Sequence, residues 1–507
     1  MRQFRVNPQH VFEQVKPGRL ALDLSVLFAI CYVVQWALHT LYKSHRHPLK
    51  KFPGPRLAAL SNVPYILWYM GGRQPHKLLA LHRKYGAVVR TAPNELSFNS
   101  AQAWKDIYNF RPGHQTFIKS SFYEGGPFAD QCGSIVSERD PIAHGKMRRY
   151  LSHAFSDASL SEQEHLISKT VDMLVDMTGK QGVHGFDIGK AFEMMTFDII
   201  GDLAFGESFG GVESGNVHPW IAITLGALTQ GALADAFSRM PTFARVFVLL
   251  FPGKMAKIVQ DTKKNEGMAL DLVRKRIAKR TTRKDFMTRI LERHNSVEVS
   301  DVQLAAHSSD FIVAGSETTA TALTCIFYYV LKNASVRQSL QREIRSTFDK
   351  YESITAQSTS KLRYLDAVIR ESFRIFPPLP LGLPRVVPRG GDTVDGHFLP
   401  EGTIVSVNPL AASLDPSNFT DPLEYKPERW LGKNEIDVVE ASQPFSLGAR
   451  ACIGRNLAWV ELRTTLVKLH WKYDFELLNE EVDWQRDVRM RTLWNKPKLI
   501  VRAVARP

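Results

Sequence analysis

Cysteine is scarce: there are four in 507 residues. Cys31, Cys132, Cys325 and Cys452 lie far apart, and none falls in a CxxC or Cys/His pattern with zinc spacing. That spacing excludes a zinc finger or ribbon and fits a disulfide framework poorly, so a reducing compartment is expected. Acidic residues are also in deficit, 51 against 65 Lys plus Arg, for a formal net charge of +14. Such a surface favours anionic partners, either membrane headgroups or an acidic protein. Nucleic acid is not among them, because no finger, RNP-like motif or base-reading basic helix accompanies the charge. Internal repeats and low-complexity linkers are missing too, so one long domain is the simplest partition beyond the N-terminus.

What is present begins with an apolar run, LALDLSVLFAICYVVQWALHTLY, from Leu20 to Tyr42. It approaches the roughly 20 residues that cross a bilayer, although Asp23, Gln35 and His39 interrupt it. No small-residue cleavage site follows, which argues against a removed signal peptide. The expected organisation is an N-terminal extension over 1–19, a transmembrane anchor over 20–42, a basic proline-rich hinge over 43–56 and a catalytic domain over 57–507. Arg2, Arg5, Lys16 and Arg19 precede the span, whereas Lys43, Arg46, Lys50, Lys51 and Arg56 follow it. The excess after the span, with the reduced cysteines, places the C-terminal domain in the cytosol. Pro53 and Pro55 stiffen the elbow between anchor and body.

Inside the domain the pattern is mainly helical, with short strand-like stretches at AVVRTAPNELSFN, RVVPRGGDTVDGHFLP and GTIVSVNP. Ser300, with Gln303 three residues on, predicts the start of a helix more than 30 residues long, long enough to run through the middle of the fold. Its centre carries Ala314, Gly315, Ser316, Glu317, Thr318 and Thr319, which are mostly poor helix formers. Close packing, with hydroxyls bonded back to carbonyls one turn earlier, explains them in one way. A helix opened to make room for a ligand, with an acid beside an alcohol to deliver protons, explains them in another. A second helix, LRYLDAVIRESFRIF, should stop at Pro377 and brings Glu371 and Arg374 onto one face.

The stretch PFSLGARACIGRN raises the question of what needs a single thiol among small residues. A nucleophile would need a base, and no histidine lies in the segment. A structural buried thiol leaves the glycines and Arg450 unexplained. A thiolate ligand to haem iron uses all of them: Gly448 and Gly454 would remove Cβ atoms beneath a flat macrocycle, and Arg450 could reach a haem carboxylate.

At this point the chain resembles a cytochrome P450. Phe445, Gly448, Arg450, Cys452 and Gly454 reproduce FxxGxRxCxG; Ala314, Gly315, Glu317 and Thr318 reproduce (A/G)Gx(D/E)T; Glu371 and Arg374 match ExxR, with Arg429 of KPERW as the third member of its triad. The resemblance implies the mainly α P450 fold with small β-sheets behind one N-terminal transmembrane helix. It implies haem b with Cys452 as the axial iron ligand, held also by Arg148 and His144 of HGKMRRYLSHAFS, by Arg385 and by Arg450. Glu371, Arg374 and Arg429 become a buried structural network.

The implied reaction is monooxygenation, with electrons from NADPH arriving through NADPH-cytochrome P450 reductase and with cytochrome b5 as a further donor. Thr318 would hold the bound oxygen and Glu317 would relay protons. The resemblance also implies an endoplasmic reticulum membrane location and contact of Pro241–Lys254 with lipid, where the plain alternative is a core helix. Val273–Lys284, VRKRIAKRTTRK, reads as a solvated helix and loop, with the membrane surface as its second reading.

A pocket lined by the Phe117–Phe128 loop, Phe311, Ala314, Pro378–Pro384 and Leu493-Trp494 would take a hydrophobic, fairly bulky substrate. The wording of SERDPIAHGKMRRYLSHAFS and PPLPLGLPRVVPRGG resembles filamentous-fungal P450s that modify terpenoids or polyketides. Two rivals stand beside this: a reductase-independent thiolate-haem isomerase or dehydratase, and a haem-binding membrane protein without catalysis.

Overall fold

A computed structural model describes residues 46–124, 128, 132–279, 283, 285–294, 299–432 and 436–506, with scattered positions between 26 and 42. Most of the Leu20–Tyr42 span therefore lies outside the described residues, as do parts of the Phe117–Phe128 loop and of Val273–Lys284.

The fold is mainly helical. The helices that position the site are α1 (Val63–Met70), α2 (Pro141–Ser152), α3 (Ile188–Phe205), α4 (Pro219–Arg239), α5 (Pro241–Leu250), α6 (Pro252–Ala278), α7 (Asp301–Lys332), α8 (Arg363–Ile375) and α9 (Arg455–Lys472). Helix α7 starts where the sequence predicts, with Ser300 Oγ accepting the Gln303 N–H at 3.1 Å. It is long and apolar enough to cross a bilayer, yet most of its apolar stretch is buried, so it is the central helix of the core. Its apolar side lies along α3, where Phe192 meets Phe327 edge to face with ring centres 5.2 Å apart. Helix α8 ends at Ile375, and Phe376 has left the helical region before Pro377, as a following proline favours.

The strands are β1 (Val88–Ala92), β2 (Glu95–Phe98), β3 (Ile118–Lys119), β4 (Phe186–Asp187), β5 (Arg385–Val386), β6 (Asp392–Val394), β7 (His397–Leu399), β8 (Ile404–Val407), β9 (Tyr473–Leu477), β10 (Arg489–Arg491), β11 (Leu493–Asn495) and β12 (Ile500–Ala505). The largest sheet runs β1-β2-β8-β5-β3, with β2 and β8 parallel and Arg385 opposite Val405. A second sheet runs β4-β12-β9, while β6-β7 and β10-β11 are hairpins. Each of the three strand-like sequence stretches contributes to the first sheet or to the β6-β7 hairpin. Two apolar cores result, one around α7 and one beneath the large sheet with Phe98, Trp104 and Val405 at its centre.

One expectation about a surface segment changes, and the alternative reading of another falls. Arg276, in the middle of VRKRIAKRTTRK, is buried and donates to both oxygens of Asp285, at 2.8 and 2.9 Å. The run is therefore not wholly solvated. Helix α5 has no buried residue, which rules out a core helix, and Leu249 and Leu250 are 80% and 64% exposed.

Candidate active site

The cysteine loop is shaped by its own backbone. Cys452 N donates to Phe445 O at 2.8 Å, closing the loop, and Phe445 packs edge to face on Phe373 of α8. Gly454 then caps α9. The Cys452 side chain is accessible and is not packed into the core. Burial raises its pKa, while the Gly454 N–H and the Arg148 and Arg455 cations pull it back. Among the described residues no group of three or more His, Cys, Asp and Glu side chains could hold a metal ion.

The two glycines act differently. A Cβ on Gly454 would meet nothing within 4 Å, so the backbone there borders open space, as a macrocycle face requires. Gly448 was expected to do the same, but its φ is +71° and its Cβ would sit 2.2 Å from the Tyr108 carbonyl oxygen. Glycine is needed there for a left-handed turn pressed against a neighbouring loop.

Four expected haem-contacting side chains converge. A cavity of about 350 Å³ is lined by His144, Arg148, Arg385 and Arg450, with Tyr108 and Phe117. Arg148 Nη1 donates to Ala451 O at 2.7 Å, which ties α2 to the cysteine loop. Arg450 donates to the carbonyls of Glu138 and Arg139, both at 2.7 Å. Arg385 lies over the rings of Tyr108 and Tyr123 and donates to Tyr123 Oη at 3.2 Å. Among the described residues none of these three arginines pairs with a carboxylate.

Lys119 is a cation the sequence reading missed. It is buried on β3, with Nζ donating to Ile135 O at 3.1 Å and Val136 O at 2.6 Å. Burial and the nearby Arg450 and Arg385 push its pKa down to about 7. Burial and Arg385 lower Arg450 to about 10. Burial and Arg450 lower His144 to about 3, so His144 is a neutral donor at pH 7 and not a cation. Burial is the first cause in each case and the neighbouring cations the second, so positive groups are gathered here in a half-buried site. A dianionic ligand edge fits it.

The segment 134–139 joins this cluster to α7. Ile135 N donates to His307 Nδ1 at 3.1 Å and Val136 N to Asp310 Oδ2 at 3.2 Å, while Lys119 and Arg450 hold the same segment's carbonyls. Within two turns of Asp310, α7 begins the acid–alcohol stretch Ala314–Thr319. Ala314 is exposed, whereas Gly315 sits tight against α3, its Cβ position 3.1 Å from Ile200. Gly315 thus serves close helix packing against α3.

The helix is continuous and not opened: Ser316 Oγ donates to Ile312 O at 2.5 Å and Thr318 Oγ1 to Ala314 O at 2.6 Å. Glu317 is buried and hydrogen-bonded to Lys496 and to Thr321. Burial raises its pKa, against the pull of Lys496.

Glu371, Arg374 and Arg429 meet in the interior. Arg374 grips Glu371 with both arms, Nε to Oε2 at 2.8 Å and Nη2 to Oε1 at 2.7 Å. Arg429 Nε, Trp430 Nε1 and Lys426 N complete the carboxylate's partners at 3.2, 2.9 and 2.9 Å. The remaining arm of Arg374 donates to the carbonyls of Ser413 and Pro422, which fastens α8 to the segment before the cysteine loop. Of the expected pocket lining, Trp494 is instead a core residue. It donates to Pro377 O at 2.8 Å and stacks on Phe376, and Phe311 is buried against Phe155.

An accessible thiol on a glycine-edged loop, three arginines without carboxylate partners among the described residues and a long helix bearing an acid–alcohol pair make a site whose chemistry fits an anionic cofactor. The comparisons are in accord. The cytochrome P450 family pattern matches residues 53–503. The chain is 57% identical to cytochrome P450 monooxygenase ORF11 of Penicillium roqueforti, over 92% of this chain and 98% of that one. It is 44% identical to cytochrome P450 monooxygenase BipB of Cochliobolus sativus, over 91% and 93%, and 37% identical to cytochrome P450 monooxygenase BOT4 of Botryotinia fuckeliana, over 96% and 91%. The chain belongs to the cytochrome P450 family and is a haem-thiolate monooxygenase.

Proposed function

We propose that the enzyme is a single-pass endoplasmic reticulum protein, extended over 1–19, anchored by 20–42, hinged over 43–56 and catalytic in the cytosol over 57–507. It takes electrons from NADPH through NADPH-cytochrome P450 reductase, with cytochrome b5 as a further donor, and puts one atom of O₂ into a hydrophobic terpenoid or polyketide of fungal secondary metabolism. The observation that carries the reading is the accessible Cys452 thiol on a loop tied to Arg148, which with Arg385 and Arg450 lines a cavity where none of the three has a carboxylate partner among the described residues. The relatives' filamentous-fungal sources support the metabolic setting.

Haem b bound at Cys452 supplies the dioxygen and redox chemistry. The chain does the rest. Arg148, Arg385 and Arg450 hold the cofactor's carboxylates, and neutral His144 donates a ring N–H. The Gly454 N–H and the Arg148 cation stabilise negative charge on the Cys452 sulfur. Thr318 Oγ1, now bonded to Ala314 O, turns to hold a proton at the oxygen-binding position, and Glu317 supplies the next one. Apolar side chains along Pro378–Pro384 keep water from the substrate.

Full-length enzyme with reductase, NADPH and isotope-labelled dioxygen, supplied with a panel of sesquiterpene alcohols and reduced polyketides, should place one labelled oxygen in a product. Conversion that proceeds unchanged without reductase, with no label incorporated, would favour the isomerase rival.

Helix α5 suits the membrane interface, since its apolar exposure joins that of Leu67 on α1 across the Asn62 to Arg239 hydrogen bond. An environment-sensitive dye on Leu249→Cys, in full-length protein in phosphatidylcholine vesicles, should be shielded from an aqueous quencher. Quenching as fast as for the dye on exposed Lys275→Cys would contradict lipid contact.

A further inference from the structure

Glu317 is the acid that the preceding reading uses as proton donor, and its own supply of protons needs a source. Its carboxylate is nearly closed off, 7% exposed, and meets Lys496, itself only 5% exposed. Lys496 follows β11 and reaches a second acid, donating to Glu193 Oε1 of α3 at 3.0 Å. Thr321 Oγ1 closes the group, 3.1 Å from Lys496 Nζ and 3.3 Å from Glu317 Oε1. Glu193 is the member that reaches water, with 26% of its side chain exposed. One lysine thus bridges a surface carboxylate and a buried one, and no motif of the sequence assigned either Lys496 or Glu193.

We infer that Glu193 and Lys496 form the proton line that recharges Glu317 from solvent. The steps balance as follows. A hydronium ion from solvent protonates the Glu193 carboxylate and leaves as water. The Lys496 ammonium gives one proton to the Glu317 carboxylate, leaving a neutral amine and a carboxylic acid. Glu193 then returns a proton to the amine, so that one proton has moved from Glu193 to Glu317 and the lysine is unchanged. Burial lessens the cost of the middle state, because a neutral amine beside a neutral acid removes two desolvated charges, and it works against Glu317 and Glu193, which hold the Lys496 pKa above its ordinary value. A lysine suits the role where an arginine would not, since a guanidinium keeps its proton.

That difference supplies the test, which rests on the reading of Glu317 as donor and separates the two. In full-length holoenzyme, infrared spectroscopy follows the carboxylic acid stretch of Glu317, assigned by its loss in Glu317→Gln, after a rapid drop in pH. Lys496→Arg keeps the ion pair but cannot relay, and should slow the appearance of this band roughly tenfold or more. Glu193→Gln should slow it similarly and, being at the surface, serves if Lys496→Arg fails to fold.

During NADPH turnover with reductase, both variants should release more hydrogen peroxide per NADPH. Wild-type rates in Lys496→Arg, with slowing confined to Lys496→Met, would make the lysine a clamp only and overturn the relay. If Glu317→Gln raises peroxide release and Lys496→Arg does not, the relay alone fails. If Glu317→Gln changes nothing, the reading of Glu317 as donor fails with it.

Discussion

Arg374→Ala should yield a protein that folds poorly and retains little haem. The substitution removes every donor that Arg374 gives to Glu371, Ser413, Pro422 and Glu424, and it leaves the Glu371 carboxylate fully buried with fewer partners. Breaking a buried network in this way costs about 3–5 kcal/mol, against a total stability of roughly 5–15 kcal/mol for a typical domain. The loss is also local, because those carbonyls belong to the segment that leads toward the cysteine loop. Arg502→Ala gives the contrast, since its pair with Glu476 lies on the surface and should contribute at most about 1 kcal/mol. Soluble yield, haem content per protein and the thermal midpoint check the prediction. Haem content equal to wild type in Arg374→Ala would sink it.

Thr318→Ala should leave the protein folded and haem-loaded but poorly coupled. The hydroxyl's one hydrogen bond runs back to Ala314 O within its own helix, and alanine is the better helix former, so stability should not fall. What is lost is a group that can hold a proton at the reacting oxygen. Product formed per NADPH should drop by roughly a hundredfold, the low end of what a positioned proton donor contributes, with peroxide released instead. Thr318→Ser should recover most of the coupling. Unchanged coupling in Thr318→Ala would remove the residue from the proton path.

Local chemistry was the legible part of this molecule. Ser300 and Pro377 punctuate α7 and α8 because capping and ring geometry act within a few residues. The motif residues Arg450, Arg148 and Arg385 were readable for a different reason: their motifs carry the chemistry even though distant elements bring them together. Partners set by tertiary contact were not readable. Lys119 looks like any lysine in FIKSSFY, and only the fold places it beside Arg385 and Arg450. Lys496 sits in a loop about 180 residues from Glu317, with no pattern to join them.

The glycines divide the same way. Gly454 borders open space as expected, while Gly448 answers to Tyr108, a neighbour that sequence cannot name. For Ala314–Thr319 the packing reading accounts for Gly315, Ser316 and the Thr318 hydrogen bond, and the ligand-space reading for exposed Ala314. Strand β9 was missed although its burial alternates residue by residue, because it follows α9 without a break and its short apolar alternation resembles a continuing helix.

The central claim is that Cys452 is the thiolate ligand of a haem. The most direct measurement is the difference spectrum of the dithionite-reduced, carbon monoxide-treated protein, with Cys452→Ser beside it. The account predicts a Soret band at about 450 nm in the wild type and its loss in the serine variant. A band at about 420 nm in folded, haem-loaded wild type, or a band at about 450 nm that survives in Cys452→Ser, would contradict it.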